Sequence, residues 1–567
     1  VFTRVDLAGA DLRYLVTLRI RGQVYRFAEN PCSIANTASE EGPPRLQYVA
    51  GLLDVEYEDQ ITPLSQSVSE REASIALVFS GHDDSEGWAA LAALDHDIGD
   101  ATCEVALWRV GDDFAARQVL LDGMVLEPTY GARHEPLTFT IAEEPYTDGA
   151  LTPPGAAVIN EETWPDDGTY DYDDKIYGAM YPRVYGQPGY MTGAEDFTDF
   201  PAVPALLIQI DTNTRSNDTG NHPGSNPARV LCCGHDAAAG GQDVEVYNMS
   251  RYEVGAAYRA TVQAESATDG LGRTIVRAEV DYGATNMVVE EGDELYVSFV
   301  TNGRGGVYAP NRTRALRGAG EIIRDLMAMS GIRIDPGVTG TDLNELNRYK
   351  LDFWYNEQRK PTNVIREDIL PLLPVDYVTT ERGLGFVVWR FGAGLEWVVD
   401  EINPATRGGA RQGAISFSSS AQVVNRLRID YAQRVDTGEY LRHLVYDAET
   451  DPEDPYVVGN PWAAASQARY RHLGIREETI TADVVQDGGT AAAILDWMIR
   501  RKAQTRRRAA YLLPQPYQHL RLGDIVLWTD DEVAITNALS VVVGVERRPG
   551  PVMVRIETLP SWIRDVS

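Results

Sequence analysis

Short segments in which apolar and polar residues alternate, closed off by Gly and Asp, recur along the whole chain and commit it to a fold dominated by β-strands. Residues 15–20 and 24–27 flank Gly22 as a hairpin with a short turn. Further strands are predicted over 73–79, 103–110, 118–126 and 137–141, then over 205–210, 243–247, 258–262, 274–280 and 294–300. A last group falls at 423–431, 525–528, 540–545 and 552–556. A Gly-Asp pair leads into an apolar strand twice, at Gly292-Asp293 and Gly523-Asp524, which hints at repeated β modules.

Helical spacing interrupts this pattern in few places. A short helix is expected over 88–94. Leu316, Ala319, Ile323 and Leu326 mark another, with Gly331 where a C-terminal cap belongs. Thr362 or Asn363 is the expected N-cap of a short helix toward Leu370, stopped by Pro371 and Pro374, and a hairpin around Gly383 follows. From Thr490 to about Arg508, Ala491, Ile494, Leu495 and Met498 form the apolar side of an amphipathic helix. A chain of 567 residues is too long for one core. The expected division is an N-terminal β domain at 1–145, an acidic Tyr/Gly/Pro-rich connecting segment at 146–204 and a β domain at 205–312. A mixed α/β domain at 313–400 and a C-terminal β domain with one amphipathic helix at 401–567 complete it.

The connecting segment holds the most distinctive phrase. Lys175 to Gly189 packs Tyr177, Tyr181 and Tyr185 among Gly178, Pro182, Gly186, Pro188 and Gly189. Tyrosine offers a stiff, half-polar contact surface, and Gly and Pro fix the turns that aim it. Such a phrase reads as an ordered loop pinned by aromatics, for packing or for an interface.

The net charge of −33 and pI near 4.6 exclude a conventional DNA-binding surface. They fit a solubility device or a halophilic or marine origin, and, compatibly with these, a surface over which a polyanion slides without sticking. The basic concentration is Arg500, Arg501, Lys502, Arg506, Arg507 and Arg508. It either complements a helix dipole or docks on an acidic surface, such as a neighbouring copy of the chain. No apolar run approaches the ~18 residues that span a bilayer. No charged-then-apolar leader opens the chain, so no secretory signal is expected. The four Cys are read as reduced, in a protein made in a cytosol.

Catalytic motifs are missing: there is no phosphate loop, zinc-protease helix motif or nucleophile elbow. Gly318-Ala319-Gly320 lacks the third Gly of a dinucleotide loop and sits in a helical pattern. His222, Cys232, Cys233 and His235 fit no zinc spacing and read as a structural His and buried thiols. Asp211, Asn213, Asn217 and Asp218 could offer oxygen to Ca²⁺ but lack EF-hand spacing. Glu161/Glu162 and Asp173/Asp174 read as solvated carboxylates rather than a hydrolase pair. No cofactor, metal or catalytic residue is therefore assigned.

The phrase Gly178, Pro182, Val184, Tyr185, Gly186 resembles one found in the baseplate hub, or tail-tip hub, proteins of tailed bacteriophages. Later phrases resemble the same family in order and spacing. They are Glu321 to Leu326 with Ser330-Gly331-Ile332, Ile369 to Pro374, Ala468-Arg469-Tyr470, Thr490 to Leu495, and Leu520 to Val526. The resemblance covers roughly residues 170–567. It implies an α+β, β-dominated fold with two tube-like β-barrel or sandwich domains, one near each end of the chain, and a mixed α/β region between them. It further implies a homotrimeric ring at the distal end of the virion tail. Its partners would be the tail tube or distal tail protein, the tape measure protein and a tail-tip spike or fibre, and DNA would pass through without specific binding. The role implied is structural, without catalysis. Tyr177, Tyr181, Pro182, Tyr185, Gly186, Arg500, Arg501, Arg506, Arg507 and Arg508 are the interface candidates. No fibre-like extension follows the last strand, so receptor recognition is expected on another protein. Two alternatives stay open: a glycan-binding adhesin stacking sugars on Trp164, Tyr170, Tyr172, Tyr177 and Tyr181, and a tail-associated cell-wall hydrolase.

Overall fold

The computed structural model describes residues 11–20, 23–37, 43–60, 72–78, 101–130, 136–143, 158–160, 163, 170–172, 178–186, 191–192, 199–200, 203–211, 228–234, 242–252, 258–290, 292–298, 316–329, 334, 342–355, 359–380, 383–392, 394–434, 437–548 and 550–560. The helix expected at 88–94 lies outside them. The fold is β-dominated with interspersed helices.

The N-terminal unit holds β1 (Leu12–Ile20), β2 (Gln23–Ala28), β3 (Cys32–Ala35), β4 (Arg45–Ala50), β5 (Leu52–Gln60), β6 (Glu72–Leu77), β7 (Thr102–Arg109), β8 (Gln118–Tyr130) and β9 (Leu137–Glu143). The expected hairpin is β1–β2. β1 also pairs with β7, and pairings run on through β8, β9 and β6 to β5. Alternation along β1 puts Val16 and Leu18 in the inner core with Phe27, Val55 and Ile141, while Leu15 joins an outer cluster with Tyr48 and Trp108.

β4 and β5 are one strand bent at Gly51. Its first half lies parallel to β2 and its second half antiparallel to β6, so the circuit of strands closes on itself. At the bend the Gly51 amide donates to Ala28 O and its carbonyl accepts from Val78 N. A Cβ at Gly51 would stand 2.4 Å from Val78 O and 3.1 Å from Phe27 Cδ1. Backbone this close leaves no room for a side chain. Gly51→Ala should therefore destabilise by roughly 2 kcal/mol or more, as for other strained core sites. Urea unfolding checks this, and wild-type stability in the variant would contradict it.

The middle unit is preceded by β10 (Tyr170–Tyr172), β11 (Arg183–Tyr185), β12 (Met191–Thr192) and β13 (Asp199–Phe200). It consists of β14 (Val203–Asp211), β15 (Ala228–Cys233), β16 (Gln242–Asn248), β17 (Arg259–Thr268), β18 (Thr274–Val280) and β19 (Leu295–Ser298). The order β14-β15-β18-β17-β16-β19 returns to β14, a closed circuit of six antiparallel strands. A narrow circuit takes small inward side chains. Those here include Val230, Cys232, Val246, Ala264, Ala278 and Val297. Cys232 and Cys233 are buried in β15, and burial pushes the Cys232 thiol well up.

In the mixed region the helix Ala319–Met329 buries Ala319, Ile322, Ile323, Leu326 and Met327. Gly320 is there for close packing, since a Cβ would meet Leu343 O at 1.8 Å. β20 (Phe353–Tyr355) follows. The next helical turn starts at Pro361 with Lys360 as cap, not at Thr362 or Asn363. Proline's fixed φ suits a first helical position, and the missing N–H costs nothing there. A widened π-type turn then reaches Ile369. The hairpin is β21 (Val375–Thr380) with β22 (Gly383–Val388), Tyr377 facing Phe386.

The rest of the chain carries β23 (Val398–Ile402), β24 (Ala410–Phe417), β25 (Arg426–Gln433), β26 (Tyr440–Asp447), β27 (Val457–Gly459), β28 (Glu477–Ala482), β29 (Arg507–Leu513), β30 (Ile525–Asp530), β31 (Ile535–Arg547) and β32 (Val552–Thr558). Beside the single turn Pro404–Arg407, two longer helices occur among the described residues here where one was expected, Pro461–Arg469 and Gly488–Lys502. Cores also part elsewhere than at residue 400. Leu427, Ile429, Ile494 and Leu495 share one core with Ile323, Leu326 and Leu372. β23, β24 and β29–β32 surround a separate core containing Tyr511, Trp528, Val545 and Ile556.

The helix Gly488–Lys502 starts at Asp487, whose carboxylate accepts from Thr490 N at 2.8 Å, and it buries Ala491, Ile494, Leu495 and Met498. It stops at Lys502, earlier than expected. Arg507 and Arg508 open β29, because Ala509, Tyr511 and Leu513 are buried at period two rather than at helical spacing.

The two Gly-Asp turns match. In each, Gly has φ near +84°. The Asp amide donates three residues back, at 3.1 Å to Glu290 O and 3.2 Å to Arg521 O. Each Asp carboxylate accepts from that same residue's amide at 2.8 Å. The strands that follow have different neighbours: β19 lies antiparallel to β14, β30 parallel to β23. The likeness is one of turn chemistry and stops short of a repeated sheet.

Candidate functional site

The phrase 178–186 lies between two cores and ties them together. β11 pairs antiparallel with β20, Val184 opposite Trp354. Because side chains alternate across a strand, Val184 enters the core of the middle unit while Tyr185 enters that of the mixed region. The Tyr185 hydroxyl donates to Asp325 at 2.8 Å, and Arg183 reaches both the Tyr185 oxygen at 2.9 Å and Asp325 at 2.6 Å. The chain leaves through Gly186 at φ +67°, where a Cβ would fall 1.9 Å from Asp352 Oδ1. Asp352 is itself buried and held by Arg317 through two bonds of 2.7 and 2.6 Å.

Tyr181 sits in a third cluster with Ile159, Ile208, Leu231 and Ile275. Its hydroxyl donates to Asp269 at 3.1 Å, and burial first, with Asp269 adding to it, pushes that hydroxyl up to about 12. Tyr181, Pro182, Tyr185 and Gly186 are thus buried within the chain, and Tyr181 offers no face for a sugar. Tyr177 and Trp164 lie outside the described residues, as do Glu161, Glu162, Asp173, Asp174, Asn213, Asn217, Asp218, His222 and His235. Tyr181→Ala should cost about 3–5 kcal/mol of folding stability, as buried aromatic truncations do, and Tyr181→Phe about 1 kcal/mol for the lost hydrogen bond. Denaturant titration of both variants checks this. An alanine variant as stable as wild type would contradict it.

A second structural tie joins the two ends of the chain. β31 is long, and its edge is shared. Its first half pairs with β30, and residues Gly544 to Arg547 pair with Gln60 to Tyr57 of β5. The N-terminal and C-terminal β units thereby become one sheet of fifteen strands. Side chains lock the joint. Arg548 pairs with Glu56, 492 residues away in sequence, and with Glu546. The Arg547 guanidinium lies 5.6 Å from the centre of the Tyr57 ring, and the Tyr14 hydroxyl donates to Arg548 O at 3.1 Å. Neither β5 nor its joint with β31 was anticipated.

The basic cluster is drawn inward. Arg501 is 4% exposed and pairs with Glu557 of β32, which has no exposure. Arg508 reaches the same carboxylate at 2.7 Å and Arg506 at 3.6 Å. Burial alone would raise Glu557, but the guanidiniums outweigh it and hold the carboxyl below its ordinary value. Lys502 pairs with Glu478. Arg500 grips Asp496 through two bonds of 3.1 Å, and Arg507 is exposed over Phe417. Among the described residues no three His, Cys, Asp or Glu side chains are grouped to hold a metal, and no helix is long and apolar enough to cross a membrane.

No protein-family model and no curated protein matches the sequence. Solved structures similar to the chain include the 43 kDa tail protein of prophage MuSo2 from Shewanella oneidensis, at 10% identity and a TM-score of 0.37, covering 96% of this chain and 98% of that one. Another is the tail protein from Neisseria meningitidis MC58, at 8% identity and a TM-score of 0.37, covering 96% of each chain. A chain of the virion of a native gene transfer agent particle is similar at 12% identity and a TM-score of 0.35, over 68% of this chain and 85% of that one.

Proposed function

We propose that the chain is a structural hub protein of a phage-type tail tip, located at the distal end of the tail in the virion. The observation that supports this most is the joint between β5 and β31. It fixes a β unit from each end of the chain side by side in one sheet, leaving terminal edges at β3, β23 and β24 among the described strands. Sheet edges need covering, and copies arranged in a closed ring cover them. Three copies with two such units each give six around the ring, the count that matches a sixfold tube in the family whose motifs the sequence resembles. The ring would join the tail tube or distal tail protein, with the tape measure protein, to a spike or fibre.

The acidity has a role in this reading. A wall of Lys and Arg would release counterions and hold passing DNA. An acidic wall keeps it centred, with repulsion reaching about a Debye length, ~8 Å at physiological salt. Arg501 and Arg508 pair with Glu557, a carboxylate of the same chain, which meets part of their charge internally and keeps it off such a wall.

The role is assembly, without turnover. Purified protein should leave peptidoglycan intact in a zymogram, and clearing abolished by one Glu or Asp substitution would favour a hydrolase instead. The reading itself is tested by tagging the protein in the particle and imaging the label by negative stain. Label at the tail's distal end is expected. Label on the capsid or along side fibres would contradict it.

A further inference from the structure

With 84 acidic and 51 basic residues, this chain offers few places where cations outnumber acids. One lies where the end of β24 meets the end of the helix Gly488–Lys502. A cleft of about 290 Å³ opens there, with Ser418, Gln422, Glu478, Arg501, Lys502 and Arg506 in its lining. Lys502 is matched by Glu478. The three guanidiniums of Arg501, Arg506 and Arg508 share the single carboxylate of Glu557. Asp376 also acts on Arg501, and its hydrogen bond from Trp389 Nε1 at 2.7 Å leaves its negative charge in place, so Arg501, Lys502, Arg506 and Arg508 face the carboxylates of Glu478, Glu557 and Asp376, four cations against three anions. The cluster therefore carries excess positive charge.

Arg506 shows the shortfall most plainly. It is held to Glu557 only at 3.6 Å, and its side chain is 16% exposed. Its Nε is buried without an acceptor among the described residues. Burial first, and then the charge of Arg501, lower this guanidinium to about 10, the direction expected of a cation short of counter-charge. A planar guanidinium beside hydroxyl and amide groups suits a carboxylate.

The cleft's surroundings favour a protein as the source. Phe417, 63% exposed, stands at the end of β24 with Arg507 over its ring. β24 is a terminal strand of its sheet, mostly exposed on both faces. An open strand edge, an exposed aromatic and a recessed cationic cleft form a surface for an acidic chain. Arg501 lies too deep for the backbone of a duplex, while one side chain fits the volume.

We propose that this cleft receives a single carboxylate side chain from a second copy of the chain. The occupant rests on the ring reading above; the cleft's preference for carboxylate does not.

The test uses the full chain and two variants. Arg506→Met removes the under-compensated cation and leaves Arg501 and Arg508 on Glu557. Gln422→Glu, at an exposed position, supplies an internal carboxylate to fill the site. Glutarate is the probe, against NaCl at equal ionic strength. Glutarate should raise the melting temperature of wild type and of neither variant. Both variants should weaken self-association by about tenfold or more in sedimentation velocity, equivalent to about 1.4 kcal/mol. Glutarate binding through Arg506 with unchanged association would overturn the second copy as occupant. A wild-type chain that binds glutarate but never self-associates would overturn the occupant together with the ring and leave the carboxylate site standing. No glutarate response and unchanged association would reduce the cleft to internal packing and overturn the proposal.

Discussion

Glu557→Leu should destabilise the fold by about 3–5 kcal/mol, the usual cost of stranding a buried cation. Glu557 is the carboxylate that Arg501, Arg506 and Arg508 all face, and Arg501 is 4% exposed. The leucine fills similar space, so the loss is electrostatic and not a cavity. The same carboxyl gives a pH dependence with a definite sign. Its folded pKa lies below its ordinary value of 4.5. Its contribution to stability is therefore complete above about pH 4.5 and is lost as pH falls through the lowered folded value. Urea midpoints between pH 7 and pH 3 should fall for wild type, and part of that fall should vanish in Glu557→Gln. A leucine variant within about 1 kcal/mol of wild type would show that the cluster contributes little.

Gly186→Ala should cost roughly 3 kcal/mol or more. A residue with a Cβ at φ +67° loses about 1–2 kcal/mol by itself. The new methyl would also collide with Asp352, whose carboxylate is fully buried against Arg317 and has no flexible end to swing aside. Displacing it breaks a buried ion pair. The substitution sits where β11 leaves the boundary between two cores, so the middle unit should lose protection in hydrogen exchange before the C-terminal β unit does. Uniform protection and an unchanged midpoint would contradict this account of the phrase.

The strands with clean alternation were legible. Residues 15–20, 274–280 and 552–556 all lie within strands of the observed sheets, since period two with one buried face has few other solutions. β5 escaped notice because Asp54, Glu56, Glu58 and Asp59 make it look like a loop, and acids are depleted in strands. Yet Val55 and Tyr57 alternate between those acids and are buried. Arg548, far off in sequence, answers Glu56. A partner that distant leaves no local trace. Glu557 was hidden for the same reason. The Tyr/Gly/Pro phrase stood out because turn chemistry is local, but its use was not legible. Whether Tyr185 faces a neighbour or a core depends on Asp325 and Phe353, which no spacing near residue 185 reveals. The arginines at 506–508 looked helical because they follow a true helix. The switch to period two at Ala509 decides the matter, and it begins after them.

In the proposed ring, two β units joined through β5 and β31 build the wall. Electron cryomicroscopy of the tail tip resolves this arrangement. Three copies in a closed ring are expected, with both β units of each copy in one continuous wall and an acidic surface toward the lumen. A tip in which the chain is monomeric, or in which its N-terminal and C-terminal β units sit apart or a basic face lines the lumen, would contradict it.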